Sequence, residues 1–127
     1  MSRNPILDFG IDRSALQFVG HDLKRPECIL AEPDGTLWAA DARGGVMRLA
    51  GGRQELVTQA HSDHFEQASS EASRYLEGTL PNGLAFARNG DILISNFGTD
   101  RLEVMSRDGQ SRVLADSVNG QPVGKVN

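Results

Sequence analysis

The chain has 127 residues, a net charge of −4 and 39% hydrophobic residues, which fits one ordinary domain with a modest core. An acidic balance with scattered Lys and Arg argues against a clustered basic face, so no nucleic-acid partner is expected. Cys28 is the single cysteine, which excludes an intrachain disulfide framework and a cysteine-based zinc motif. No apolar run approaches membrane-spanning length and the N-terminus lacks an apolar leader core, so the expectation is a soluble, cytoplasmic protein without a membrane partner.

In chain order, residues 1–15 are polar with two small apolar clusters and read as an extended lead-in. Residues 16–19 read as a strand, and residues 20–25 as a polar turn. Arg25 precedes a proline and is expected to be extended. Residues 28–31 form a short apolar run of strand length. Glu32-Pro33-Asp34-Gly35 is a turn, because Pro presets φ and Gly accepts a positive φ after Asp. Strands follow over residues 36–40, 46–49 and 55–58, separated by the glycine-rich 41–45 connection and by Gly51-Gly52. Residues 59–78 break the pattern. They are polar, with Phe65, Ala68, Ala72, Tyr75 and Leu76 near helical spacing, and read as a long loop with one or two helical turns over residues 66–76.

The segment from Pro26 to Leu49 is then repeated from Pro81 to Met105. Pro26 aligns with Pro81, Glu27 with Asn82, Gly35 with Gly90 and Leu37 with Ile92 at an offset of 55; after one inserted residue Val46 aligns with Leu102 at an offset of 56. The second copy predicts strands over residues 83–87, 91–95, 101–106 and 112–115, with Asn89-Gly90 as a strong hairpin signal. Residues 117–127 are turn-rich and resemble the opening of a third copy.

A self-similar unit of four short antiparallel strands predicts an all-β fold built from β-propeller blades. The boundaries expected are a lead-in over 1–15, blade one over 16–58, a loop over 59–78, blade two over 79–116 and the start of blade three over 117–127. Propellers close with about four to eight blades, so two blades leave open sheet edges, and the chain is expected either to be an incomplete propeller or to associate with other chains through those edges. Three two-blade chains could close one ring.

At Arg25-Pro26-Glu27-Cys28, at Trp38-Ala39-Ala40-Asp41 and at Leu80-Pro81-Asn82-Gly83-Leu84-Ala85-Phe86 the sequence resembles the SMP-30/gluconolactonase family. The blade pattern alone is shared with strictosidine-synthase-like and paraoxonase-like propellers. The Pro-Glu and Pro-Asn-Gly openings narrow it. The resemblance implies a six-bladed propeller, of which this chain would be an N-terminal portion, with a divalent metal on its axis and hydrolysis of a small lactone as its activity. It implies Glu27 and Asn82 as metal ligands and Asn127 as a substrate-binding residue. The family's general-base Asp would lie outside this chain. Ca²⁺ and Zn²⁺ both stay open as the metal. A non-catalytic propeller piece that binds a metal or a partner stays open as the alternative.

The chemistry of these residues agrees with a hard cation, which prefers carboxylate and amide oxygens. Glu27 and Asn82 occupy equivalent places in the repeat, and equivalent strand starts on successive blades face the propeller axis. Other candidates favour plainer roles. Asp41 and Asn96, also equivalent, fit turns. His61 and His64, three apart in a polar loop, read as solvated histidines. Cys28 reads as a small buried hydrophobe, and Trp38 as a core residue between blades.

Overall fold

The computed structural model describes residues 4, 6–61, 70, 72–74 and 78–127, with the side chain of His61 left out. The chain is all-β. Strands β1 (Ile29–Ala31), β2 (Leu37–Asp41), β3 (Gly45–Ala50) and β4 (Arg53–Thr58) form one antiparallel sheet in sequence order. After the two-residue β5 (Ala60–His61), strands β6 (Pro81–Phe86), β7 (Ile92–Asn96), β8 (Arg101–Met105) and β9 (Gln110–Ala115) form the second. A small hairpin, β10 (Ser117–Val118) with β11 (Gln121–Pro122), follows.

The turns form where Asx-Gly chemistry demands them. In the first, Gly35 N–H donates to Glu32 O and Glu32 N–H to Thr36 O; the same pair of bonds recurs between Ala87, Gly90 and Asp91, and between Ser106, Gly109 and Gln110. Gly109 is the informative glycine. Its φ is +98°, and a Cβ there would meet Thr58 O at 2.5 Å. That close approach lets Ala60 N–H reach Gly109 O at 2.8 Å. Chain leaving blade one thereby joins the outer edge of blade two, as β5 pairs in parallel with β9.

The two sheets pack face to face. Period-two alternation puts Trp38, Ala40 and Val46 of the first sheet against Leu84, Ile92, Ile94 and Met105 of the second. Trp38 is 2% exposed, as expected of a residue between blades. Its indole N–H donates to Glu32 Oε2 at 2.9 Å. Arg107 of blade two spans the junction. Its guanidinium lies 4.8 Å from the Trp38 ring and 4.9 Å from the Phe86 ring, and pairs with Glu32 Oε1 at 2.9 Å. Cys28 is half-buried against the same core, its Sγ 3.6 Å from Leu84 O.

Three expectations change. Residues 16–19 form no strand: they run without a ladder partner, and Phe18 is 96% exposed. Apolar β-formers make a strand only where a sheet edge receives them, and here the first edge is β1. Just ahead, Asp12 caps a single 3₁₀ turn over Arg13–Ala15. Arg25 is left-handed rather than extended, with φ +50°. A tight turn about Pro26, closed by Glu27 N–H to Arg25 O at 2.8 Å, overrides the pre-proline preference. Of the helix expected over residues 66–76, residues 72–74 are helical and the greater part lies outside the described residues.

Candidate functional site

Alternating strand directions gather one set of connections at one end of both sheets. These are the starts of β1 and β6, the 41–45 and 96–101 corners, and the tail beyond β11. All three candidate ligands lie on these segments.

Glu27 stands just ahead of β1. It is exposed, and its Oε1 accepts from the Arg25 guanidinium. Its other oxygen has no hydrogen-bond partner among the described residues. Asn82 is the second residue of β6 and only 8% exposed. It sits at a bulge between Pro81 and Gly83 that displaces it from the ladder. Its Nδ2 donates to Asn127 Oδ1 at 2.6 Å. Its own Oδ1 accepts nothing from the described residues. Gly83 lies beside the tail, and a Cβ there would stand 3.6 Å from the Asn127 carbonyl carbon but only 2.5 Å from Ser95 Oγ. Lys125 anchors the approach: its Nζ donates to Phe97 O at 3.0 Å, pairs with Asp100 at 2.8 Å and lies over the Phe97 ring. The structure therefore brings Asn82 and Asn127 together. Glu27 keeps the equivalent place on the neighbouring blade, engaged by Arg25.

The donor set is one carboxylate and two amides. Oxygen chemistry of that kind fits part of a hard cation's shell. It supplies a single negative charge. Among the described residues no three His, Cys, Asp or Glu side chains gather into a metal-binding group. His64 lies outside the described residues, as does the side chain of His61.

Asp41 and Asn96 take the turn role, in closely matched form. Asp41 is fully buried and accepts from Lys24 N–H at 3.1 Å, from Arg43 N–H at 3.0 Å, and from the Arg43 side chain twice at 2.8 Å. Asn96, also fully buried, accepts from Leu80 N–H at 2.9 Å and Thr99 N–H at 3.3 Å. In both blades the next residue completes the clasp: Ala42 N–H donates to Lys24 O, and Phe97 N–H to Leu80 O. Burial alone would push the Asp41 carboxyl up. The Arg43 side chain and amide, the Lys24 amide and the guanidinium charge outweigh it and hold the group below the usual carboxylate range.

One buried cluster was missed by sequence reasoning. Glu103, fully buried on β8, accepts from Asn96 Nδ2 at 2.9 Å, from Thr99 Oγ1 at 3.1 Å and from Gln59 Nε2. Gln59 Nε2 also reaches Ser111 Oγ at 2.7 Å. The signal was present: Glu103 aligns with Met47 of blade one, so a charge stands at an inward-facing repeat position.

Two antiparallel four-stranded sheets, stacked in sequence order and joined by an edge stitch, define this protein as a partial β-propeller. No family model matches the sequence, and no curated protein matches it. Among solved structures the fold is similar to that of a catalytically inactive virginiamycin B lyase from Staphylococcus aureus, crystallised with quinupristin. The TM-score is 0.53 at 17% identity, over 82% of this chain and 30% of that one. Likeness at this identity concerns the fold alone, and the chain spans less than a third of the matched protein's length.

Proposed function

We propose that this chain is the part of a propeller hydrolase that supplies Glu27, Asn82 and Asn127 to a divalent-cation site, and that the activity served is opening of a small lactone. The observation that carries the reading is the Asn82–Asn127 pair at the bulged start of β6, with Glu27 at the repeat-equivalent start of blade one. The motifs shared with the SMP-30/gluconolactonase family support it, and oxygen donors suit Ca²⁺ better than softer metals. A cation bound there would polarise a lactone carbonyl and lower the pKa of an attacking water. Asn82 Oδ1 and the outer oxygen of Glu27 are the free acceptors that would meet it. Arg25 holds the remaining Glu27 oxygen, and its left-handed backbone is a strained conformation of the sort that clusters at working sites. No general base is assigned within the chain.

A second reading is a binding module without catalysis. It is favoured by the Arg25–Glu27 ion pair, which neutralises the only candidate carboxylate.

Thermal unfolding with and without Ca²⁺ or Zn²⁺ tests the site. A ligand at 100 times its Kd stabilises by about 2.7 kcal/mol, a shift of several degrees. The rise should vanish in Glu27→Gln and grow in Arg25→Ala. A transition indifferent to both metals would end the metal-site reading. Metal binding without turnover of simple γ- and δ-lactones would favour the binding module.

A further inference from the structure

Blade two has an open face, and the internal repeat identifies what fits it. On blade one, the face docked against blade two carries Leu30, Trp38, Ala40, Val46 and Val57. The repeat-equivalent residues of blade two are Ala85, Leu93, Ser95, Leu102 and Leu114. These line an apolar groove of about 300 Å³ on the side away from blade one. Leu102 is 41% and Leu114 46% exposed. The opposite face repeats in the same way. Leu84, Ile92 and Met105 of blade two are packed on blade one. Their equivalents Ile29, Leu37 and Leu49 lie on blade one's own outer face. Ile29 is 59% exposed and Leu37 half-buried, while residues 20–23 cover Leu49 and Gln54 and leave Val19 exposed beside them. The two outward faces thus carry the same repeat positions as the two halves of the interblade junction, with Ala39, the equivalent of Ile94, already covered at 1% exposure.

We infer that a second copy of this chain docks head to tail, its blade-one outer face (Ile29, Leu37 and the adjoining Val19) seated in the Leu93–Leu102–Leu114 groove of blade two. The contact is heterologous, so it propagates and closes if the rotation allows. Two blades here cover 30% of the matched propeller, so a ring closes at about three copies.

Ile29, Leu102 and Leu114 are large apolar side chains left 59%, 41% and 46% exposed on these two faces, and contiguous exposed apolar surface marks interaction sites.

Light scattering on the full chain across a concentration series reads the association. The expected mass rises to about three times the 13.7 kDa monomer. A mass fixed at 13.7 kDa up to about 100 μM overturns the inference. Two variants fix the geometry. Leu102→Glu blocks the groove and Ile29→Glu blocks the opposite face, and both residues are exposed enough for the fold to survive; Leu114→Glu replaces the first should it not. Each alone is expected to stay monomeric, because the face left intact has no complementary face to meet. Mixed, they retain one intact groove and one intact outer face, and should give a dimer and nothing larger. A stable dimer of Ile29→Glu alone would mean groove-to-groove pairing and would refute the head-to-tail contact, as would variants that assemble like wild type.

Discussion

Asp41 holds the chain approaching blade one to the end of β2, and its loss should be costly to stability. Asp41→Ala removes four hydrogen bonds at once, two from backbone amides and two from a guanidinium. The Lys24 and Arg43 amides are then left part-buried without an acceptor. Breaking a buried, charge-assisted network of this kind costs about 3 kcal/mol, or about 10 °C in Tm for a domain of this size. Asp41→Asn keeps the shape but loses the charge and should cost about 2 kcal/mol. The two differ most in acid. The Asp41 pKa is lowered in the folded state, so its contribution is fully present above the unfolded carboxylate value of about 3.9 and disappears as pH falls through the folded one. The gap between wild type and Asp41→Asn should hold steady from about pH 8 to 5 and close below about pH 4. Trp38 is the sole tryptophan and lies buried between the blades, so urea unfolding followed by its fluorescence reads interblade docking directly. A cost for Asp41→Ala within about 0.5 kcal/mol of wild type, or an acid-independent gap, would refute this reasoning.

Three further outcomes follow from the packing. Arg107→Ala should loosen the blade junction by about 1–2 kcal/mol and shift Trp38 emission to the red in the folded baseline, because it removes two ring contacts and the Glu32 pair. Glu103→Gln should cost about 2 kcal/mol by placing an amide donor among the donors of Gln59, Asn96 and Thr99, read as a lower urea midpoint at unchanged slope. Gly98→Ala should impair folding, measured as soluble yield and loss of the cooperative transition, because a Cβ there would collide with the carbonyl oxygens of Arg74 and Gly78.

The strands and turns were legible because their signals are local. Asp34-Gly35, Asn89-Gly90 and Asp108-Gly109 place glycines at φ +87°, +92° and +98°, and alternating apolar residues between them face one way. The repeat then identified which copy of a residue does the same work, as Asp41 and Asn96 show. What escaped is non-local. Nothing near residues 16–19 announces that no sheet edge awaits them. The Ala60 bond to Gly109 joins residues 49 apart through a two-residue parallel pairing too short to leave a pattern. Asn82 and Asn127 were singled out by family resemblance, and their contact depends on the 117–123 hairpin turning the tail back, with Asn119 at φ +51° and Gly120 at +77°. The pairing of Glu27 with Arg25 was hidden by a backbone conformation that the pre-proline rule disfavours.

The matched clasps at Asp41 and Asn96 bear on how such a chain can grow. Each ties the segment leading into a blade to the second strand of that same blade, and none of those bonds calls on the preceding sheet. A tandem duplication that copies the approach segment together with its four strands would carry this clasp whole. A cut made inside the approach segment would leave a buried Asp or Asn without its amide. The structural unit that closes its own clasp is therefore longer than the four strands and begins upstream of the proline, at Lys24 in one copy and at Leu80 in the other.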